Sequence, residues 1–141
     1  MSCFWGVMSY NFYISEMVIL PLLKRRSDMS DSVKSLLNSY LVELQNIYGK
    51  YLQSVILYGS YARGDFAKDS DIDIMILLNL TDEEIKEYRH QLSEYTYDFC
   101  MSNDLDIKPI AKSKAHFLKW VDNYPFYANV NREGVKLFED A

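Results

Sequence analysis

The sequence predicts a small α/β domain, α+β in arrangement, with a mixed sheet of about four strands flanked by helices. Three observations carry this. Two long stretches place apolar residues at helical spacing, short apolar runs of strand length lie between and after them, and 141 residues, about half of them apolar, suffice for one sizeable core. No internal repeat, low-complexity run or long linker divides the chain.

The elements follow in order. From Ser30 or Asp31, either suited to cap a helix, Val33, Leu36, Leu37, Tyr40, Leu41, Leu44, Ile47, Tyr48 and Tyr51 recur at three-, four- and seven-residue spacing. This is an amphipathic helix ending near Gly49. "SVILYG" then reads as a short buried strand, "GSYARGD" as a turn entering one helical turn, and "DIDIMILL" as a strand buried on both faces beyond its carboxylates. Thr81 or Asp82 caps a second helix whose stripe is Ile85, Tyr88, Leu92, Tyr95 and Phe99. A third strand, "LDIKPI", carries Pro109, which removes a ladder donor and predicts a sheet edge. The tail predicts a helix over 113–121, a shorter one over 125–132 and a last strand, "VKLF".

Residues 1–28 do not share this pattern. Phe4, Trp5, Tyr10, Phe12 and Tyr13 follow no steady period, and charge is sparse before Lys24. Two expectations stand side by side for this extra N-terminal segment. One is an added element covering the sheet. The other is translated leader: Arg25-Arg26 can be encoded as AGGAGG, a bacterial ribosome-binding sequence, followed by a two-codon spacer and a start codon at Met29. The domain proper is then 29–141.

A net charge of −5 and a pI near 5.0 exclude a broad electrostatic grip on nucleic acid or on an anionic membrane, so any phosphate chemistry is local. Cys3 and Cys100 form no metal or redox spacing and are too few for a disulfide framework. The longest early apolar run, "MVILPLL", is too short for a membrane span and is broken by Pro21, and its positive charges follow rather than precede it. A soluble, cytoplasmic protein is expected.

The chemistry gathers in "LYGSYARGDFAKDSDIDIMIL", residues 57–77. Asp71 and Asp73 alternate with Ile72 and so project from one face at the start of a strand. Two like charges at the mouth of a core repel and resist desolvation unless a cation lies between them. Hard oxygen donors at this spacing suit Mg²⁺, which binds through one or two carboxylates plus substrate phosphates. Gly59 lets backbone approach a ligand, Ser60 adds a hydroxyl, and Arg63 offers a fork suited to a triphosphate before Gly64 makes the exit. A nucleoside triphosphate is the natural substrate of such a set. Taken singly, carboxylates two apart are a polar strand face and Gly-Ser before Arg is a common turn; it is their order and spacing that define a site.

"GSYARGDFAKDSDID" resembles the signature of the DNA polymerase beta-like nucleotidyltransferase superfamily: Gly-Ser, then Ala-Arg-Gly, then Ser-Asp-x-Asp. The "ARGD" form, the short chain and the tail "YPFYANVNREGVKLFED" are similar, more narrowly, to the minimal nucleotidyltransferases paired with HEPN toxins. The resemblance spans 29–141 and implies the nucleotidyltransferase fold. It implies Gly59 and Ser60 on the β- and γ-phosphates, with Arg63 and Ser70 also at the nucleotide. It further implies two Mg²⁺ ions, with Mn²⁺ as a substitute, on Asp71, Asp73 and a third acid from a later strand. Asp104 and Asp106 are the candidates. Asp106, between Leu105 and Ile107, has the setting of a strand carboxylate and is chosen, Asp104 being placed in the loop. The implied activity is transfer of AMP from ATP to a hydroxyl, a tyrosine, of a cognate HEPN toxin, making the protein an antitoxin.

Two other functions are weighed: a non-catalytic antitoxin that senses nucleotide and masks its toxin, and a transferase acting on a small molecule of aminoglycoside type. The latter normally needs a further domain for which this chain has little room. Lys108 shares the face of Asp106 and is expected to pair with it, while His90 and His116 are read as packing or surface residues and Tyr61 as either core or nucleotide contact. So small a domain cannot enclose both substrates, so a partner surface beside the site is expected, with the C-terminal helices contributing. A homo-oligomer is left open.

Overall fold

The computed structural model describes residues 29–140; the segment expected to be separate, residues 1–28, lies outside the described residues, as does Ala141. Helix α1 (Asp31–Tyr48) starts where Ser30 Oγ accepts a hydrogen bond from the Val33 amide at 3.3 Å, and it stops at Gly49, whose φ of 57° ends the helical path. A single 3₁₀ turn (Gly49–Tyr51) delivers the chain to β1 (Leu52–Tyr58). After it come α2 (Ser60–Arg63), β2 (Ile72–Leu78), α3 (Asp82–Asn103), β3 (Ile107–Ser113), α4 (Lys114–Trp120), α5 (Pro125–Glu133) and β4 (Val135–Glu139). Thr81 caps α3 in a reciprocal box: its hydroxyl accepts from the Glu84 amide while the Glu84 carboxylate accepts from the Thr81 amide.

The strands form one mixed sheet in the order β3-β2-β1-β4. β1 runs antiparallel to both β2 and β4, whereas β2 and β3 are parallel and need a crossover, which α3 supplies. Pro109 thus sits on an edge strand, opposite Ile74. The third strand begins two residues later than the apolar pattern of "LDIKPI" predicts. Asp104 ends α3 in the left-handed region (φ 53°), and the Asp104 and Leu105 amides both return to the Cys100 carbonyl, so Leu105 is consumed in stopping the helix.

Alternation along β2 divides the core. Ile72, Ile74, Ile76 and Leu78 pack with Leu37, Leu41 and Leu44 of α1 and Leu92 of α3, while Met75 and Leu77 pack with Phe117 of α4 and Tyr127 and Val130 of α5. Both faces of β2 are therefore covered, as its unbroken apolar run predicts. A buried hydrogen bond of 2.7 Å between Tyr40 Oη and Thr96 Oγ1 pins α1 to α3. Burial raises the Tyr40 phenol well above its usual range, so it stays neutral. Among the described residues, no helix is long and apolar enough to cross a membrane.

Candidate active site

The site lies where β1 and β2 end and begin, on the face covered by α4 and α5. β1 finishes at Tyr58, and Gly59 (φ 76°, ψ −154°) adopts a backbone conformation essentially reserved for glycine. A Cβ there would overlap Asp73 Oδ2 and lie 3.2 Å from its Cγ. The missing side chain is what lets the turn and the Asp73 carboxylate share one space. The Ala62 and Arg63 amides close on the Gly59 carbonyl at 3.1 Å, and Gly64, left-handed at φ 85°, lets its amide and that of Asp65 return to the Ser60 carbonyl. The result is a rigid single turn.

Asp71 and Asp106 are neighbours across the parallel ladder, just before the Ile72–Ile107 pair, and the Ile72 amide donates to the Asp106 carbonyl at 2.8 Å. Their carboxyls are close enough to share a proton. That hydrogen bond, followed by burial and the charge of Asp106, raises the Asp71 pKa. The Asp73 pKa is raised by burial and then by the Asp71 charge, with Arg63 and Lys108 opposing. Lys108, in register with Asp73, pairs with Asp106 at 3.4 Å. The Tyr58 hydroxyl is pushed up to about 12 by burial and the nearby Asp73 charge.

A cavity of about 450 Å³ is lined on one side by Gly59, Ser60, Arg63, Ser70, Asp71 and Asp73, and on the other by Phe126, Asn129, Val130 and Glu133 of α5, with Tyr58 between. Six of the seven residues picked from sequence thus converge. Asp106 faces an adjoining recess of about 550 Å³ together with Asp104, Lys68 and Asp69, and Ser70 borders both spaces. Arg63 is engaged on both sides, by Asp65 at 3.1 Å and Glu133 at 3.5 Å. Ser70 Oγ accepts from the Ala67 amide at 2.7 Å and so holds the loop into β2. Tyr61 is buried and stacked on Phe66 at 4.2 Å, which makes it a packing residue. The α5 wall escaped residue-by-residue reading. Its signal was the 126, 129, 130, 133 spacing, one stripe of a helix.

The donor set fits a hard divalent ion in kind: carboxylate oxygens crowded together, with Asp71 raised by its hydrogen bond to Asp106 and Asp73 by burial. In disposition it offers pairs. Among the described residues no three His, Cys, Asp or Glu side chains are arranged around one ion, and Asp106 is drawn to Lys108 while Asp73 lies back against Gly59. Two carboxylates completed by substrate phosphates are an ordinary Mg²⁺ arrangement.

A glycine turn opening onto paired carboxylates at the ends of the two central strands of a mixed sheet defines a phosphoryl- or nucleotidyl-transfer site. The sequence model of the nucleotidyltransferase domain matches residues 37–123. Over 106 residues the chain is 31% identical to a protein of Methanocaldococcus jannaschii named as a predicted protein adenylyltransferase, covering 72% of this chain and 94% of that one. A second protein of that organism with the same name is 30% identical over 92 residues, 63% of this chain and 91% of its own. Among solved structures, a mutant of the toxin-antitoxin MntA-HpeT is similar, with a TM-score of 0.47 and 20% identity, covering 72% of this chain and 73% of that one. The chain belongs to the nucleotidyltransferase domain family.

Proposed function

We propose that the protein is an antitoxin that transfers AMP from ATP to a tyrosine hydroxyl of a cognate HEPN toxin. The observation that carries this reading is the shared cavity of the Gly59–Ser60 turn and the Asp71 and Asp73 carboxylates. The names of the similar proteins support AMP as the group moved, and the sequence signature of the minimal nucleotidyltransferases supports the acceptor.

In the proposed mechanism, Gly59 admits the triphosphate to within contact of backbone, and Ser60 adds a hydroxyl donor to its β- and γ-phosphates. Asp71, Asp73 and Asp106 would hold Mg²⁺, which when bound offsets charge on the α-phosphate and the departing pyrophosphate. The acceptor oxygen attacks the α-phosphorus as the bond to the bridging oxygen breaks, and pyrophosphate leaves with that electron pair. The acceptor's proton passes to the Asp106 carboxylate. Asp73, wedged against Gly59, fixes the carboxylates' position relative to the turn.

The test is label transfer from α-labelled ATP, with Mg²⁺ present, to the toxin encoded beside this gene. Wild-type protein labels the toxin, Asp73→Asn does not, and loss of the label on Tyr→Phe substitution in the toxin locates the acceptor. Wild-type protein that transfers nothing refutes the catalytic reading. An Asp71→Asn/Asp73→Asn double variant that still neutralises the toxin assigns protection to binding instead.

A further inference from the structure

We propose that Phe126 is the platform on which the nucleotide base stacks and that Asn129 donates a hydrogen bond to the base edge. This rests on the nucleotide-transfer reading of the same cavity. The cavity has two characters. At the turn it is polar, with Gly59, Ser60, Arg63 and the two aspartates; at the start of α5 it is aromatic, Phe126 beside Tyr58 of β1. The polar end suits phosphates, which leaves the flat apolar part of a nucleotide to the aromatic end. Phe126 precedes Glu133 by seven residues, about 10 Å along a helix, and so stands well away from the Arg63–Glu133 ion pair.

Phe126 is 43% exposed, although its neighbours Tyr127 and Val130 on the same helix are buried. Its ring is nonetheless held in place, edge-to-face on Tyr58 at 5.6 Å and tilted on Tyr127 at 5.9 Å. A braced, half-exposed aromatic ring lining a cavity is a stacking surface with little entropy left to lose. Asn129 is one turn further on. Its Oδ1 accepts from Arg132 Nη2 at 2.8 Å, which leaves its amide N–H groups as the side chain's donors. A donor reading a base edge matches N7 of a purine, an acceptor that pyrimidines lack.

The experiment is calorimetric titration of folded wild-type, Phe126→Ala, Phe126→Leu, Phe126→Trp and Asn129→Leu proteins, with Mg²⁺ throughout. The probes are α,β-methylene-ATP, α,β-methylene-CTP and inorganic tripolyphosphate, which has no base. Phe126→Ala is expected to weaken the ATP analogue about tenfold while leaving tripolyphosphate nearly unaltered. Phe126→Leu, which keeps apolar packing on Tyr58, shows the same pattern, and Phe126→Trp restores affinity. Asn129→Leu narrows the preference for the ATP over the CTP analogue. Equal weakening of analogue and tripolyphosphate, or no weakening of either, overturns the proposal. So does an unaltered analogue affinity joined to lost transfer, which gives the ring to the acceptor. Wild-type protein that binds tripolyphosphate and the analogues equally overturns only the base site; wild-type protein that binds none of the three overturns the nucleotide-transfer reading with it.

Discussion

Gly59→Ala isolates the close approach on which the site is built. Two costs add. Alanine at φ 76°, ψ −154° occupies a region essentially reserved for glycine, a strain of about 1–3 kcal/mol. Its Cβ also meets the Asp73 carboxylate, and pushing that side chain off its rotamer adds about 0.5–1.5 kcal/mol. Against these, the narrower unfolded ensemble of alanine returns about 0.4–1 kcal/mol. The net is a loss of about 1–4 kcal/mol, a fall in Tm of about 5–20 °C for a domain of this size. Gly49→Ala is the matched control: φ is again positive, at 57°, but nothing lies within 4 Å of the new Cβ. It bears strain without collision. Thermal unfolding followed by circular dichroism, with label transfer measured well below both transitions, separates the two effects. Both variants lose stability, Gly59→Ala the more, and only Gly59→Ala loses transfer because it alone displaces Asp73. Equal Tm values for the two, or full transfer by Gly59→Ala, would refute the reasoning.

Thr96→Val strands the buried Tyr40 hydroxyl and is expected to cost about 1–3 kcal/mol, while Tyr40→Phe/Thr96→Val, with neither polar group, recovers most of it. Urea unfolding of the full cycle checks this, and additive losses would sink it. Burial pushes the Tyr48 and Tyr95 phenols from 10.0 up to about 12. A raised folded pKa stabilises fully below the unfolded value and loses that contribution as pH climbs from 10 toward 12. Unfolding free energy therefore falls over that window, less steeply in Tyr48→Phe, and an unchanged slope counts against burial as the cause. Thr81→Ala removes the α3 capping box at a cost of about 1 kcal/mol. The Glu84 carboxyl is held below its usual value by the Thr81 amide and hydroxyl. That stability is present above the unfolded pKa and fades as pH falls through the folded one, so the penalty of Thr81→Ala shrinks in acid; a penalty independent of pH contradicts it.

What the sequence revealed was whatever is written in near neighbours. Ser30 and Thr81 announce helix starts because a capping side chain reaches only three residues ahead. The run 71–78 declares a doubly covered strand, and Pro109 an edge, because ladder chemistry is local to each residue. Gly59, Ser60, Asp71 and Asp73 were legible as a set since one turn and one strand start position them all. The rest depends on partners far along the chain. Arg63 reads as a fork for phosphate or as the partner of an acid, and the second of its acids, Glu133, lies seventy residues on. Asp106 reads as a third acid paired with Lys108, and it adjoins Asp71 and pairs with Lys108; that it also opens onto a neighbouring recess depends on how the loops before β2 and β3 come together. The wall made by Phe126 and Asn129 needed α5 folded back over β1, a matter of tertiary packing that no short window encodes.

The pairing of Ile72 with Ile107 has an evolutionary reading. Because Asp71 and Asp106 flank that pair, a slip of one residue between the two strands would aim one acid at the opposite side of the sheet and bring an isoleucine in its place. The hydrophobic penalty for such a slip falls on the whole interior. Insertions and deletions that shift this register are thus filtered by foldability before they can scramble the acids.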